Sequence, residues 1–432
     1  MQGLDRTKGD LWNQAEAILR RNDLGGYTIP SQRLYPYQWL WDAGFCAMGW
    51  RHIDEARAWK ELEMVISGQW PAGMLAHITF HKTVDTYFPG PDVWRSPHQN
   101  PATSGITQPP ILGTFLWHLY RNGANREVFK PKARAIFQAL LNYHRWLYAA
   151  RDPDQMGLVA ILHPWESGMD NSPLWDKPLA RVVPKNVPPF QRADVAHVST
   201  EQRPSDEEYT RYLFLVLFLR NGGYVDPALW LTAPFCVVDT AFNAILLRAN
   251  RDLLEMARAL GEPDAEIGGW VEQTEQGFDR LRDGKGGFYA GLDLRGDQPM
   301  EFPVTSRYLA LWSGAPTPVE AGYLTKQFRD AQNGTLRWAP TVNPSAPGFQ
   351  PQRYWRGPVW AITNWMLAEG FEAYGCDQEA RRLRQDTLRL VQTAGFYEYF
   401  HPLTGEGLGG PNFSFTAAIV LELLAREVSA GR

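Results

Sequence analysis

A hydrophobic period of 3.6 residues recurs along most of this chain and restricts what it can fold into. In segment 10–21, DLWNQAEAILRR, it puts Leu11, Trp12, Ala15, Ile18 and Leu19 on one helical face. The same spacing predicts helices over 53–67, 126–149, 205–220, 236–260, 264–282, 318–329, 358–374, 377–393 and 412–427, with shorter ones around 37–50, 108–121 and 303–312. Glycines after several of these segments, Gly222-Gly223, Gly261 and Gly375, supply the expected stops. Strand signals are confined to 286–290 (GGFYA) and 395–399 (GFYEY). About a dozen helices with small extended pieces predict an all-α protein. At 432 residues, a usual domain size of about 150 residues allows roughly three domains as well as one large one.

Segments 69–105 and 171–204 break the period. Both are rich in Pro and aromatic residues and much longer than ordinary connections. Trp70, Phe80, Tyr87, Phe88, Trp94 and Trp175 give them apolar surface to bury, so they read as ordered lids over a site rather than as linkers. Charge excludes another class of partner. With 43 Lys and Arg against 47 Asp and Glu, the chain lacks the basic excess of a nucleic-acid binder. The apolar run Leu213 to Leu219 is far short of the roughly 20 residues that span a bilayer. The first residues, MQGLDRTKGDLWNQ, alternate charge with single apolar positions, unlike a signal peptide, and the cytoplasm is the expected compartment. Cys46, Cys236 and Cys376 are odd in number, far apart and set in apolar segments, so they read as buried thiols.

Several familiar chemistries have no motif here. There is no G-x-x-x-x-G-K-[ST] phosphate cradle, no H-E-x-x-H and no G-x-S-x-G elbow. His77 and His81 are four apart, but Ile78, Thr79 and Phe80 between them favour extended chain, and no metal site is predicted. The 18 Trp, 17 Tyr and 21 Phe suit flat ligands with an apolar face, sugars among them. Carboxyl groups sit inside the aromatic clusters: Asp42 in YPYQWLWDAGF, Glu166 and Asp170 in HPWESGMDNSPLWD, Glu398 in GFYEYFHPLTG. Burial beside such rings disfavours the charged form and raises a carboxyl into the range of a working acid. One protonated and one ionised carboxyl are what glycoside hydrolysis needs. Gly168 permits a tight turn that presents Asp170 at a mouth. Pro358 suits a first helical turn, which aims the loop Tyr354 to Gly357 at the same opening.

Taken in order, WLWDAGF (39–45), SGITQPP (104–110), ESGMDNSP (166–173), YWRGPVW (354–360) with Asn364, and EYFHPLTG (398–405) resemble glycoside hydrolase family 63 and related inverting (α/α)6-barrel glycosidases. The match runs from about residue 35 to 415. The resemblance implies one catalytic domain over 1–432, an (α/α)6 barrel with 69–105 and 171–204 as cap insertions. It implies a hexosyl-glycerate substrate, with mannosylglycerate and glucosylglycerate both open. By the same resemblance Asp170 is the general acid and Glu398 the general base. Tyr35, Trp39, Trp41, Asp42, Gln108, Trp165, Trp355 and Trp360 fall at sugar-subsite positions. Arg203, Tyr209 and Tyr354 fall at the glycerate end, where a guanidinium and two phenols suit a small carboxylate, and Tyr87 closes over it. Asn412 is expected near the pocket. No cofactor and no metal are expected at the reacting centre, and self-association is left open. The rival readings are an α-glucosidase or trehalase-like hydrolase on the same barrel, and a non-catalytic carbohydrate-binding protein.

Overall fold

The computed structural model describes residues 7–82, 84, 87–332 and 339–430. Residues 1–6, part of the stretch read for a signal peptide, and 83, 85 and 86 of the segment 69–105 lie outside the described residues.

The long helices follow the hydrophobic period: Lys8–Asn22, Leu40–Trp50, Glu55–Ile66, Leu112–Asn122, Arg126–Arg151, Asp206–Asn221, Thr240–Leu260, Ala265–Phe278, Pro318–Gln332, Ala361–Ala373, Asp377–Ala394 and Ser414–Ala430. Their starts have local causes. Thr7 and Ser205 each accept from a first-turn backbone N–H while Asp10 and Glu208 reach back to the cap, and Asp239 accepts from the Ala241 and Phe242 N–H groups.

Two kinds of helix result. Every residue of Leu40–Trp50 is buried, as is Ala361 to Ala368, and a helix with no polar face fits only where other elements surround it. Lys8–Asn22 instead buries Leu11, Ala15, Ile18 and Leu19 and turns its charges outward. The buried kind closes on itself. Leu40–Trp50 packs on Leu112–Asn122, which meets Thr240–Leu260, then Ala310–Ser313, Ala361–Ala373 and Ser414–Ala430, which returns to Leu40–Trp50. Lys8–Asn22, Glu55–Ile66, Arg126–Arg151, Ala265–Phe278 and Asp377–Ala394 each lie against a member of this circuit. No described helix is long and apolar enough to cross a membrane.

Departures from the sequence expectations have identifiable reasons. The stretch 286–290, expected to be extended, is a turn closed by the single bridge Arg282–Phe288. The Asp283 side chain accepts from the Lys285 and Gly287 N–H groups there, and the strand begins only at Gly291. The helix expected from 358 starts at Ala361, because Val359 exchanges both backbone hydrogen bonds with Phe400 (2.8 and 2.9 Å); Pro358 therefore lies outside the first turn. Val237–Asp239, read as helix, joins an antiparallel sheet with Ala160–Ile161, Gly291–Asp293 and Gln298–Met300. The helix expected at 303–312 is a 3-10 turn, Thr305–Leu309, followed by Ala310–Ser313. Cys46 and Cys236 are buried thiols, whereas Cys376 is partly exposed at the cap of Asp377–Ala394.

The two aperiodic stretches are ordered where described, and they contain short helices, Pro91–Trp94 and Asp176–Ala180. Trp94 and Trp175 anchor them, fully buried, with indole N–H groups donating to the carbonyls of Pro89 (3.1 Å) and Met169 (2.8 Å). Ile78–Phe80 pairs with Gln38–Trp39 on one side and Ala102–Thr103 on the other, which fixes the entry to helix Leu40–Trp50. The hairpin Tyr397–Phe400 with Gly407–Pro411 carries Glu398 beside an irregularity in register.

Candidate active site

Tyr35, Trp39, Trp41, Asp42, Tyr87, Gln108, Trp165, Asp170, Arg203, Tyr209, Tyr354, Trp355, Trp360 and Glu398 all line one pocket of about 860 Å³, its open mouth included. They arrive from distant parts of the chain. Trp41 and Asp42 sit in the first turn of Leu40–Trp50, Asp170 follows the 3-10 turn Pro164–Ser167, and Tyr354 to Trp360 form the approach to Ala361–Ala373.

Glu398 is buried, and protein donors occupy both carboxyl oxygens. The Tyr35 hydroxyl donates to Oε1 at 2.8 Å; Arg203 Nη2 at 3.0 Å and the Gly410 N–H at 3.2 Å donate to Oε2. Desolvation pushes the Glu398 carboxyl up, and the Arg203 guanidinium is the largest influence opposing it. Gly409 is required at its position. It has φ +68°, and a Cβ there would stand 2.3 Å from Glu398 Oε2. Arg203 is itself held in place: Arg353 donates to its carbonyl at 3.1 Å and is anchored in turn on Glu208. Arg203 is the one Lys or Arg side chain among the described residues lining the pocket, and its buried Nε–H has no partner.

Asp170 differs from Glu398. It is half-buried, has no ion pair among the described residues, and sits one residue after Met169 on a turn made by Gly168. Gly168 has φ +69°, and a Cβ there would come within 2.8 Å of the Trp41 ring. Burial pushes the Asp170 carboxyl up to about 7; Arg203 and a hydrogen bond from Tyr354 restrain it, while Glu398 adds to the rise. Asp42 is pushed further, to about 8, by burial and then by the charge of Glu398. Burial thus raises all three carboxyl groups, and Glu398 differs in being tied to a guanidinium.

The walls are rings. Trp355 and Trp360 stack at 3.9 Å, Trp360 stacks on Tyr399 at 4.8 Å, and Trp41 tilts against Trp355 at 6.2 Å. Trp39 stands edge-on between Tyr35 (5.2 Å) and Tyr87 (5.6 Å). Trp165 stacks on His77, and Tyr209 donates to the Phe88 carbonyl at 3.1 Å, so segment 69–105 is tied to helix Asp206–Asn221. Gln108 Oε1 accepts from the Trp41 N–H at 3.2 Å.

Some singled-out residues lie elsewhere. Glu166, grouped above with Asp170, does not line the pocket. Arg151 Nη2 (3.0 Å) and the Thr107 N–H (3.3 Å) donate to its Oε1 and the Leu162 N–H (2.7 Å) to its Oε2, so it fastens the turn that carries Trp165 and Asp170. Asn364 donates to Thr387 at 3.1 Å between two helices. Asn412, expected near the pocket, lines a separate surface depression with Arg21 and Arg33. The sequence reading missed His77, Phe88, Asp194, Phe413 and Phe415, which also line the site. His77 was visible only as half of a rejected metal pair; it bonds Ser104 at 2.9 Å, while His81 bonds Gln38 at 2.8 Å. Among the described residues no group of three or more His, Cys, Asp or Glu side chains is arranged to hold a metal ion.

Carboxyl groups in unlike surroundings within an aromatic pocket are the equipment of a glycoside hydrolase, and this chain is an O-glycosidase. The model of the mannosylglycerate hydrolase MGH1-like glycoside hydrolase domain matches residues 35–416, and the chain belongs to that family, within glycoside hydrolase family 63. It is 48% identical over 410 residues to the mannosylglycerate hydrolase of Thermus thermophilus, covering 94% of this chain and 99% of that one. It is 36% identical to the glucosylglycerate hydrolase of Mycolicibacterium hassiacum, over 97% and 98% of the two chains. A crystal structure of the mannosylglycerate hydrolase from Thermus thermophilus, in complex with Tris and D-glycerate, superposes with a TM-score of 0.92 at 47% identity, over 95% of this chain and 99% of that one.

Proposed function

We propose that this chain is an inverting hydrolase that splits 2-O-α-D-mannosyl-D-glycerate, and glucosylglycerate as well, into the hexose and D-glycerate. The names of its relatives support the substrate class. The observation that carries the mechanism is the contrast between the two carboxyl groups: Asp170 is raised to about 7, and Glu398 is bound to Arg203. Asp170 gives its proton to the glycosidic oxygen while Glu398 takes one from a water that attacks C1 from the opposite face. Single displacement inverts the anomeric centre and needs the carboxyls roughly 6.5 to 9.5 Å apart. Both proton transfers are made by side chains, and no cofactor enters the scheme.

Asp42, Gln108, Tyr35 and the Trp39, Trp41, Trp165, Trp355 and Trp360 rings shape the hexose subsite. Arg203, Tyr209 and Tyr354 receive the glycerate, with Tyr87 closing over it. The partnerless Nε–H of Arg203 offers a donor to an incoming carboxylate, which a neutral acceptor would leave unused. In this reading the chain is one catalytic domain, the closed circuit of helices being the inner ring of an (α/α)6 barrel. Segments 69–105 and 171–204 form its cap, and the enzyme works on a cytoplasmic solute.

The test is to offer mannosylglycerate, glucosylglycerate and trehalose side by side and to quantify hexose and glycerate. Release of both products from the two glycerates, with trehalose intact, is expected. Hydrolysis of trehalose alone contradicts the proposal.

A further inference from the structure

A single-displacement hydrolase ends each cycle in the wrong protonation state. On the mechanism proposed above, Asp170 has lost its proton and Glu398 has gained one, and the next substrate requires the reverse. Glu398 is 1% exposed, and both its oxygens already accept hydrogen bonds from protein donors. The structure offers an internal route between the two carboxyls. The Tyr35 hydroxyl lies 2.8 Å from Glu398 Oε1 and 3.2 Å from the Tyr354 hydroxyl, and Tyr354 stands within hydrogen-bonding reach of Asp170 in the same pocket.

We propose that Tyr35 and Tyr354 form a phenol relay that returns the proton from Glu398 to Asp170 between turnovers. The balance is three hydrogens moving one place each. Glu398 gives its carboxyl hydrogen to the Tyr35 oxygen as Tyr35 gives its own to the Tyr354 oxygen and Tyr354 gives its own to the Asp170 carboxylate. No phenol changes its net charge, no oxidant or co-reactant is consumed, and the end state is ionised Glu398 with protonated Asp170. The observed bond from Tyr35 to Glu398 has the polarity of that end state.

Arg203 sets the direction. Its Nη1 donates to the Tyr35 oxygen at 2.6 Å and its Nη2 to Glu398 at 3.0 Å, so the positive charge favours ionised Glu398 and moves the proton away towards Asp170. The Tyr35 oxygen donates to Glu398, accepts from Arg203 and lies within hydrogen-bond distance of the Tyr354 hydroxyl, with which either can be the donor. Tyr354 is held to its place by a backbone at φ +39°, unusual for a bulky residue, and the Arg203 guanidinium covers its ring at 4.8 Å.

The relay rests on the hydrolase reading, and one experiment separates the two. Hexose release from mannosylglycerate is followed by rapid quench near neutral pH in dilute buffer for the full-length enzyme, Tyr35→Phe and Tyr354→Phe. Product should appear linearly from the unsubstituted enzyme. Each variant should show a burst of one hexose per site and then a steady phase about ten-fold slower than its own burst, accelerated by added imidazole as an external proton carrier. Linear traces from both variants, or steady phases that imidazole leaves unchanged, overturn the relay and reduce the tyrosines to binding and positioning groups. Absence of hexose from the unsubstituted enzyme overturns the hydrolase reading itself.

Discussion

Replacing Arg203 by Gln asks how the pocket keeps one carboxyl ionised. Arg203 Nη2 and Glu398 Oε2 are 3.0 Å apart and both side chains are 2% exposed. Unit charges at that distance attract by about 5 kcal/mol at an effective dielectric constant of 20. Removing one partner of a buried pair costs about 3–5 kcal/mol, because the other charge is left unpaired. The variant escapes part of that cost by protonating Glu398, and this fixes the sign of its pH dependence. A carboxyl raised above its unfolded value gives stability that is present at low pH and lost as pH rises through the folded value. Arg203→Gln should therefore be less destabilised at about pH 5 than at about pH 8. Loss of the guanidinium also lifts Asp170, which Arg203 restrains, so both carboxyls move up and the fraction with Glu398 ionised falls. The assay is kcat/KM against pH beside thermal unfolding. A loss of about 10²- to 10⁴-fold is expected, with the acidic limb moved to higher pH and partly restored in Arg203→Lys. An acidic limb that stays in place, or equal destabilisation at both pH values, refutes the reasoning.

Three further outcomes follow from the same geometry. Asp170→Asn should lose about 10²- to 10⁴-fold in kcat yet unfold at an equal or higher temperature than the unsubstituted enzyme above pH 7, since a carboxyl raised to about 7 withdraws stability as pH passes that value; a lower unfolding temperature there would falsify the assignment. Glu166→Ala should cost about 3–5 kcal/mol in denaturant unfolding by removing one partner of a buried ion pair with Arg151, whereas an unchanged midpoint would show that Glu166 does not fasten the turn. Gly409→Ala should lower kcat about 10²-fold with little change in KM, because the new methyl displaces Glu398 Oε2; normal kcat would rule out that contact.

Much of the helical framework was legible in the chain, because amphipathic and wholly apolar segments of more than ten residues carry their own period. Lys8–Asn22 and Asp377–Ala394 were readable to within a few residues. Where a side chain or a distant strand captures the backbone, the period misleads: the Asp283 side chain folds a turn where GGFYA reads as strand, and the Phe400 backbone pairs with Val359 where Pro358 reads as helix. The same limit applies at the site. Ordered motifs brought the pocket residues together, but composition did not distinguish Glu166 from Asp170, since both are acids beside Trp165 on one turn. Only the donors around each separate them, a guanidinium and backbone N–H groups for Glu166 and an open pocket for Asp170. Asp194 was missed because a lone polar residue in a loop carries no spacing, and His77 because its one spacing, to His81, pointed to a metal pair rather than to a pocket wall.

The central claim is that Asp170 and Glu398 act from opposite faces of the hexose in one displacement. Proton NMR of the anomeric signal during the first minutes of mannosylglycerate hydrolysis, before mutarotation, tests it most directly. The account predicts that β-mannose appears first from the α-linked substrate and that the α-anomer grows in only later. Initial release of α-mannose would contradict it, because retention requires a covalent intermediate and a nucleophilic role for Glu398.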